Sequence, residues 1–207
     1  MTKICTLFSG SSGNSTFISN NSTRFLVDAG GSCKSICDKL LCINEDIKNI
    51  NGIVLTHEHI DHIKALKVLS KRFGIPIFAK TEILEFLSDN DLVHPNTKLV
   101  EIDTDFVLGE FNVHTFPTNH DSLSSIGFVF DNGDCGKIGF ATDLGEYSQE
   151  VKESLIGCKT VVLESNYDES MLSCGSYPYM LKRRIMSKRG HLSNIDCGEA
   201  ARELAEN

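Results

Sequence analysis

The sequence predicts an α/β fold: two mixed sheets packed face to face, with helices on the outside. Three observations carry this. Short apolar runs bounded by Gly, Asp and Asn recur along the chain and read as strands. Amphipathic stretches of helical period are interleaved with them. Each half of the 207-residue chain contributes strands followed by helices, and layering is how such a mixture buries both kinds of element.

Taken in order, KICTLFS (3–9) and STFISN (15–20) read as strands flanking the turn GSSGN, and TRFLVDAG (23–30) as a strand ending at an Asp and a glycine. A helix is expected over 32–41, with Ser32 as its cap. INGIVLT (50–56) is a buried strand. IKALKVLSKRFG (63–74) has helical period and stops at Gly74. IPIFA (75–79) is a short strand and KTEILEFLSDN (80–90) an amphipathic helix. Strands follow over 98–102, 105–109, 111–117, 125–131 and 136–143. Then come a helix over 148–157, a strand over 160–165, and helical segments over 177–188 and 193–207. No linker or low-complexity tract interrupts this, so residues 1–207 read as a single domain.

Composition narrows the class. Hydrophobic residues make up 41% and charged residues 23%, which is ordinary for a globular protein with a packed core. No run approaches the roughly 18 apolar residues of a membrane span, so no membrane partner is expected. The opening MTKICTLFSGSSGNS does not read as a signal peptide, and a cytoplasmic protein follows as the expectation. The eight cysteines, Cys5, Cys33, Cys37, Cys42, Cys135, Cys158, Cys174 and Cys197, contain no C-x-x-C pair and read as free thiols. Cys33, Cys37 and Cys42 lie on the first helix with a spacing that fits no common thiolate site. The net charge of −8 argues against general adhesion to nucleic acid, but leaves room for a local basic patch.

The segment THEHIDHI (56–63) follows the strand GIVLT and holds three of the seven histidines, with one Asp and one Glu. In extended chain, residues two apart point to one side, so His57 and His59 can reach one metal ion. Asp61 and His62 sit where the next helix begins, and the turning backbone aims them at a second ion. Imidazole with carboxylate suits Zn²⁺, Mn²⁺ or Fe²⁺ better than Ca²⁺. Two ions need further ligands. His120, just after a strand in FPTNHDS, and Asp143, closing GKIGFATD, are the candidates, and Asp143 could bridge both ions. The plainer alternatives are a surface histidine and a turn cap. His94, before a proline, and His114, inside a strand pattern, read as ordinary histidines. Asp28 ends FLVDAG and is expected to hold the metal loop in register by hydrogen bonds.

THEHIDH, together with DAG (28–30), NH (119–120) and TDLG (142–145), resembles the metallo-β-lactamase fold superfamily. The resemblance implies a four-layer αββα sandwich with a two-metal site at one edge of the sheets. It implies His57, His59 and His120 on one ion, Asp61 and His62 on the other, and Asp143 bridging. LFSGSSGNSTFI, LESNYDESML, YPYMLKRRI and RGHLSN are similar to the YycJ (WalJ) family of bacterial metallo-hydrolases, over residues 7 to about 194. That family is described as 5′→3′ exodeoxyribonuclease-like and is related to the nuclease branch that includes tRNase Z. The implied activity is a metal-dependent phosphodiesterase on DNA, at single-stranded ends, with two divalent ions (Zn or Mn), Asp61 in the catalytic set and a metal-bound hydroxide. The resemblance is compatible with a homodimer. By the same analogy His191, in GHLSN, is catalytic and is oriented by Glu164, in LES; the residues alone leave His191 open as a metal ligand. Members of that family continue beyond GHLSN, so the resemblance implies a C-terminally shortened chain lacking its last strand and helix.

Lys182, Arg183, Arg184, Lys188 and Arg189 are five of the chain's twenty Lys and Arg. They form a local basic patch just before His191, suited to gripping phosphates. Tyr177 and Tyr179 precede it and could stack on bases; a solvated helix face is the alternative. Two other classes stay open: a small-molecule hydrolase of thioesterase or lactonase type, and an inactive shortened relative.

Overall fold

The computed structural model describes residues 2–133 and 136–206. Cys135, read above as a free thiol, lies outside the described residues. The chain forms two compact units, Met1–Asn112 and Val113–Asn207.

The first unit is built on a six-stranded sheet. Its order is β1 (Lys3–Phe8), β2 (Ser15–Ser19), β3 (Arg24–Val27), β4 (Gly52–Val54), β5 (Ile77–Ala79) and β6 (Leu99–Glu101). The first three strands pair antiparallel, and β3 to β6 pair parallel. Parallel neighbours need crossovers. These carry α1 (Cys33–Cys42), α2 (Ile60–Ile63), α3 (Leu66–Phe73) and α4 (Thr81–Asp89). Ser32 caps α1 as expected, its side chain accepting from the Ser35 amide. Gly74 ends α3 in the left-handed region, at φ 65°. Phe17, Leu26, Ile36, Leu40, Leu55, Leu66 and Leu69 are buried in one core between sheet and helices.

The helix expected over 63–74 forms as α3 and starts only at Leu66, while Ile63 ends the separate α2. The reason lies in the backbone. The His62 carbonyl accepts from the Ala29 amide at 2.7 Å, and the Ala65 amide donates to the Ala29 carbonyl at 2.9 Å. Groups that would continue the helix are committed to the turn after β3.

The other sheet has five strands in the order β11-β10-β9-β8-β7, comprising β7 (Asp105–Leu108), β8 (Phe111–Pro117), β9 (Ile126–Asp131), β10 (Lys137–Ala141) and β11 (Thr160–Leu163). It too is mixed: β9 and β10 are antiparallel, β10 and β11 parallel. The second unit's helices are α5 (Gln149–Leu155), α6 (Glu169–Cys174), α7 (Tyr179–Ile185) and α8 (Asn194–Ala205). Ser148 and Ser193 cap α5 and α8. Phe116, Val129, Ala141, Leu144, Val151, Leu155 and Leu192 form this unit's core. The helix expected over 177–188 is shorter, and no residue of α7 is buried. Helix α6 was not foreseen; Asp168 caps it by accepting from the Met171 amide at 2.8 Å.

Candidate metal centre

The first unit gathers its site at the C-terminal ends of two parallel neighbours, β3 and β4, where Val27 and Val54 are register partners. Asp28 follows β3 and Thr56 lies just beyond β4, so both emerge side by side. Asp28 is buried, with a left-handed backbone at φ 61°. Its carboxylate accepts from the Thr56 amide at 2.9 Å, the Thr56 hydroxyl at 2.8 Å and His62 Nδ1 at 2.8 Å. These bonds tie the end of β3 to Thr56 and His62. A carboxylate only accepts, so the hydrogen of neutral His62 sits on Nδ1 and the lone pair on Nε2. The His57 ring lies 4.6 Å from that of His59 and 4.1 Å from that of His62, centroid to centroid. Asp61 lies in the first turn of α2, with Oδ2 at 3.7 Å from His62 Nε2. The two backbones press together here: a Cβ on Gly30 would stand 1.5 Å from the Asp61 carbonyl oxygen, so this position requires glycine.

Asn14 was passed over by sequence reading. Its Nδ2 lies 3.2 Å from Asp61 Oδ2 and 2.9 Å from His62 Nε2. An asparagine in a Ser/Gly turn reads as turn chemistry. The one available signal is Gly13 beside it, since a Cβ there would meet the Gly30 carbonyl oxygen at 2.8 Å.

The second unit brings together His120, Asp143 and His191, whose ligand atoms all lie within 4.8 Å of one another. His120 follows β8, and Asp143 follows β10 with a left-handed φ of 51°. The Nδ1 of His120 donates to the Gly190 carbonyl at 2.9 Å. A carbonyl cannot donate, so Nε2 of the neutral ring carries the lone pair. That nitrogen faces Asp121 Oδ1 at 3.4 Å and Asp143 Oδ1 at 4.0 Å. An imidazole lone pair converging with carboxylate oxygens is the surroundings of a cation. Burial holds the His120 pKa below its ordinary value, although Asp143 opposes this; the neutral ring is the form that binds a metal.

His191 differs. Its Nδ1 lies 2.8 Å from Glu164 Oε1 and 3.5 Å from Asp143 Oδ1. Burial disfavours its charged form, but the hydrogen bond and charge of Glu164, aided by Asp143, outweigh that and raise its pKa. Glu164 follows β11, the parallel neighbour of β10. Its Oε2 accepts from the Leu144 amide at 2.6 Å and the Leu192 amide at 3.2 Å.

The basic segment is largely engaged within its own unit. Arg184 grips Asp121 through Nε at 2.5 Å and a terminal nitrogen at 3.1 Å. Lys188 pairs with Glu146 at 2.8 Å. Lys182 donates to the Ser173 carbonyl at 2.7 Å, and Arg189 to the His120 carbonyl at 3.3 Å. Arg183 lies 5.9 Å from the centre of the Tyr179 ring. Tyr177, Tyr179 and Met180 are exposed beside it. His94 sits in a loop and accepts from the Asn96 amide, and His114 lies on the exposed face of β8. Among the described residues no helix is long and apolar enough to cross a membrane.

His62 and His120 thus each present a neutral-ring Nε2 lone pair near a carboxylate, the donor set that divalent metals take. A family model described as the beta-lactamase superfamily domain matches residues 23–207. The exodeoxyribonuclease YycJ of Bacillus anthracis is 34% identical over 202 residues, covering 96% of this chain and 75% of that protein. The exodeoxyribonuclease WalJ of Streptococcus pneumoniae is 31% identical over 202 residues, with the same shares of 96% and 75%. Among solved structures, the metallo-beta-lactamase fold protein YhfI from Bacillus subtilis superposes with a TM-score of 0.75 at 16% identity, covering 99% of this chain and 83% of that one.

Proposed function

Because the chain belongs to the metallo-β-lactamase fold superfamily, and within it to the YycJ/WalJ family, we propose that it is a metal-dependent phosphodiesterase, an exodeoxyribonuclease acting on single-stranded DNA ends. The observation that carries this is the 34% and 31% identity to two chains named exodeoxyribonucleases across 96% of this sequence.

We assign His57, His59 and His120 to one divalent ion, Asp61 and His62 to another, and Asp143 to both; zinc and manganese suit these donors. When bound, such ions neutralise phosphate charge and lower the pKa of water. The chain's own residues do the rest. Asp28 keeps the His62 hydrogen on Nδ1, and the Gly190 carbonyl does the same for His120. Asp61 orients the attacking water by accepting its hydrogen. His191, whose charged form Glu164 favours through its contact with Nδ1, would donate its Nε2 proton to the leaving oxygen. Lys182, Arg183, Arg184 and Arg189 supply positive potential for the strand's phosphates, Arg184 while anchored to Asp121.

The test is cleavage of 5′-labelled single-stranded DNA with added Mn²⁺ or Zn²⁺, beside thioester and lactone substrates. The reading expects stepwise DNA shortening that is lost in Asp61→Ala and Asp143→Ala. Thioester or lactone turnover without DNA cleavage would move the chain to small-molecule hydrolysis.

A further inference from the structure

We infer that Asn14 is a positioning residue: its side-chain amide holds the Asp61 carboxylate in the geometry, relative to the Asp28-anchored His62, that sets the affinity of this pair for a divalent cation. The inference rests on the ligand roles proposed above.

Asn14 closes the turn between β1 and β2, and five hydrogen bonds lock it. Its backbone amide donates to the Asp61 carbonyl at 2.7 Å, and its carbonyl accepts from the Gly30 amide at 2.8 Å. Its Oδ1 accepts from the Gly10 amide at 3.0 Å, and Nδ2 donates to Asp61 Oδ2 at 3.2 Å. The Gly10 N–H can only donate, so this bond settles which end of the amide is oxygen. The nitrogen end must then face Asp61 and His62.

That nitrogen has two hydrogens and two acceptors within reach. One acceptor is Asp61 Oδ2; the other is the Nε2 lone pair of His62, whose Nδ1 hydrogen is directed at Asp28. Asp28, His62, Asn14 and Asp61 thus form a continuous chain of carboxylate, imidazole, amide and carboxylate. When a cation takes the His62 lone pair, the amide keeps its bond to Asp61. Asp61 is the one member of the chain with a partly exposed carboxylate, 28% accessible, and the amide limits its rotamer.

The backbone tethers to Asp61 and Gly30 do not depend on the side chain. Asn14→Ala therefore removes the amide and leaves the turn attached. Asn14→Asp keeps an oxygen for the Gly10 N–H but deletes both donors, separating turn closure from positioning.

The experiment is Mn²⁺ titration of the metal-free chain, residues 1–207, by electron paramagnetic resonance. Thermal unfolding of the metal-free chain and kcat and KM on 5′-labelled single-stranded DNA accompany it. Asn14→Ala should weaken Mn²⁺ binding about tenfold and lower kcat, with KM and metal-free unfolding near wild type. Asn14→Asp should likewise depart from wild type in Mn²⁺ affinity and kcat. Wild-type Mn²⁺ affinity in Asn14→Ala would overturn the inference. So would wild-type affinity and kcat in Asn14→Asp, which would reduce Asn14 to turn closure; this variant decides alone if Asn14→Ala does not fold. A wild-type chain that binds Mn²⁺ but cleaves no DNA overturns only the nuclease reading, and the affinity comparison still decides the role of Asn14.

Discussion

Glu164 and His191 are joined by a 2.8 Å contact between Oε1 and Nδ1, while the other carboxylate oxygen of Glu164 takes the amides of Leu144 and Leu192. Those two residues directly follow Asp143 and His191. One carboxylate therefore sets the ring and both backbone segments that carry the second unit's site.

Glu164→Gln replaces one acceptor oxygen with an NH₂ group, and either placement opposes a donor. We expect kcat for DNA cleavage to fall about 100-fold, as for loss of a positioned acid. His191→Ala should cost a similar factor. The double variant should be little worse than either single one, because the two residues act as a unit. Steady-state kinetics on the three variants checks this.

Asp28→Asn isolates charge from backbone. Asparagine tolerates the left-handed φ of 61° better than most residues, so the turn should persist. The carboxylate that holds the Nδ1 hydrogen of His62 is lost. Metal affinity should fall about 10- to 100-fold, measured by competition with a chromogenic chelator.

Glu45 tests acid stability away from the site. It lies 2.7 Å from Lys3 Nζ and 3.1 Å from Arg24 Nε. Burial works to raise its pKa, but the hydrogen bonds and charges of Lys3 and Arg24 outweigh this and hold it below the ordinary value for a glutamate. A depressed folded-state pKa contributes stability above the unfolded value that is lost as pH falls through the folded one. Glu45→Gln should therefore unfold at lower temperature than wild type at neutral pH, and the gap should narrow below about pH 4. Melting curves across that range decide it.

Tyr179 and Arg183 form the exposed end of the basic segment, with the cation over the ring. Base stacking on such a ring contributes about 1–3 kcal/mol. Tyr179→Ala should raise KM for single-stranded DNA about tenfold or more with kcat nearly unchanged. Arg183→Glu should act in the same direction and flatten the salt dependence of binding. Unchanged KM in both would remove this helix from the substrate path.

The legible parts of the site were those written in ligand chemistry. His57, His59, Asp61 and His62 crowd into one loop after a strand, and that spacing alone announces a metal. Asp28 was legible as a residue at a strand end. The pairing of Glu164 with His191 spans 27 residues of sequence and came only through resemblance to a family. Asn14 was invisible because an amide in a Gly/Ser turn has an ordinary local explanation. The break between α2 and α3 was hidden for a related reason: helical period continues through 63–74, but the backbone there bonds to Ala29, a long-range contact that no local pattern encodes. The basic run was legible as charge, whereas its partners Asp121 and Glu146 were not, since ion pairing depends on where distant segments meet.

The interlocked backbones around Gly30 bear on how this loop breathes. The amide hydrogens of Asn14, Ala29, Gly30 and Ala65 all end on carbonyls of the same meshed segments. None can be released without parting two of three segments: the β1–β2 turn, the turn after β3 and the stretch from Asp61 to Ala65. Local opening there should cost nearly as much as unfolding the whole unit, so these four amides should exchange with deuterium at the slowest rates in residues 2–112, with or without metal. The loop would then be rigid before any ion arrives, and metal binding would not have to order it.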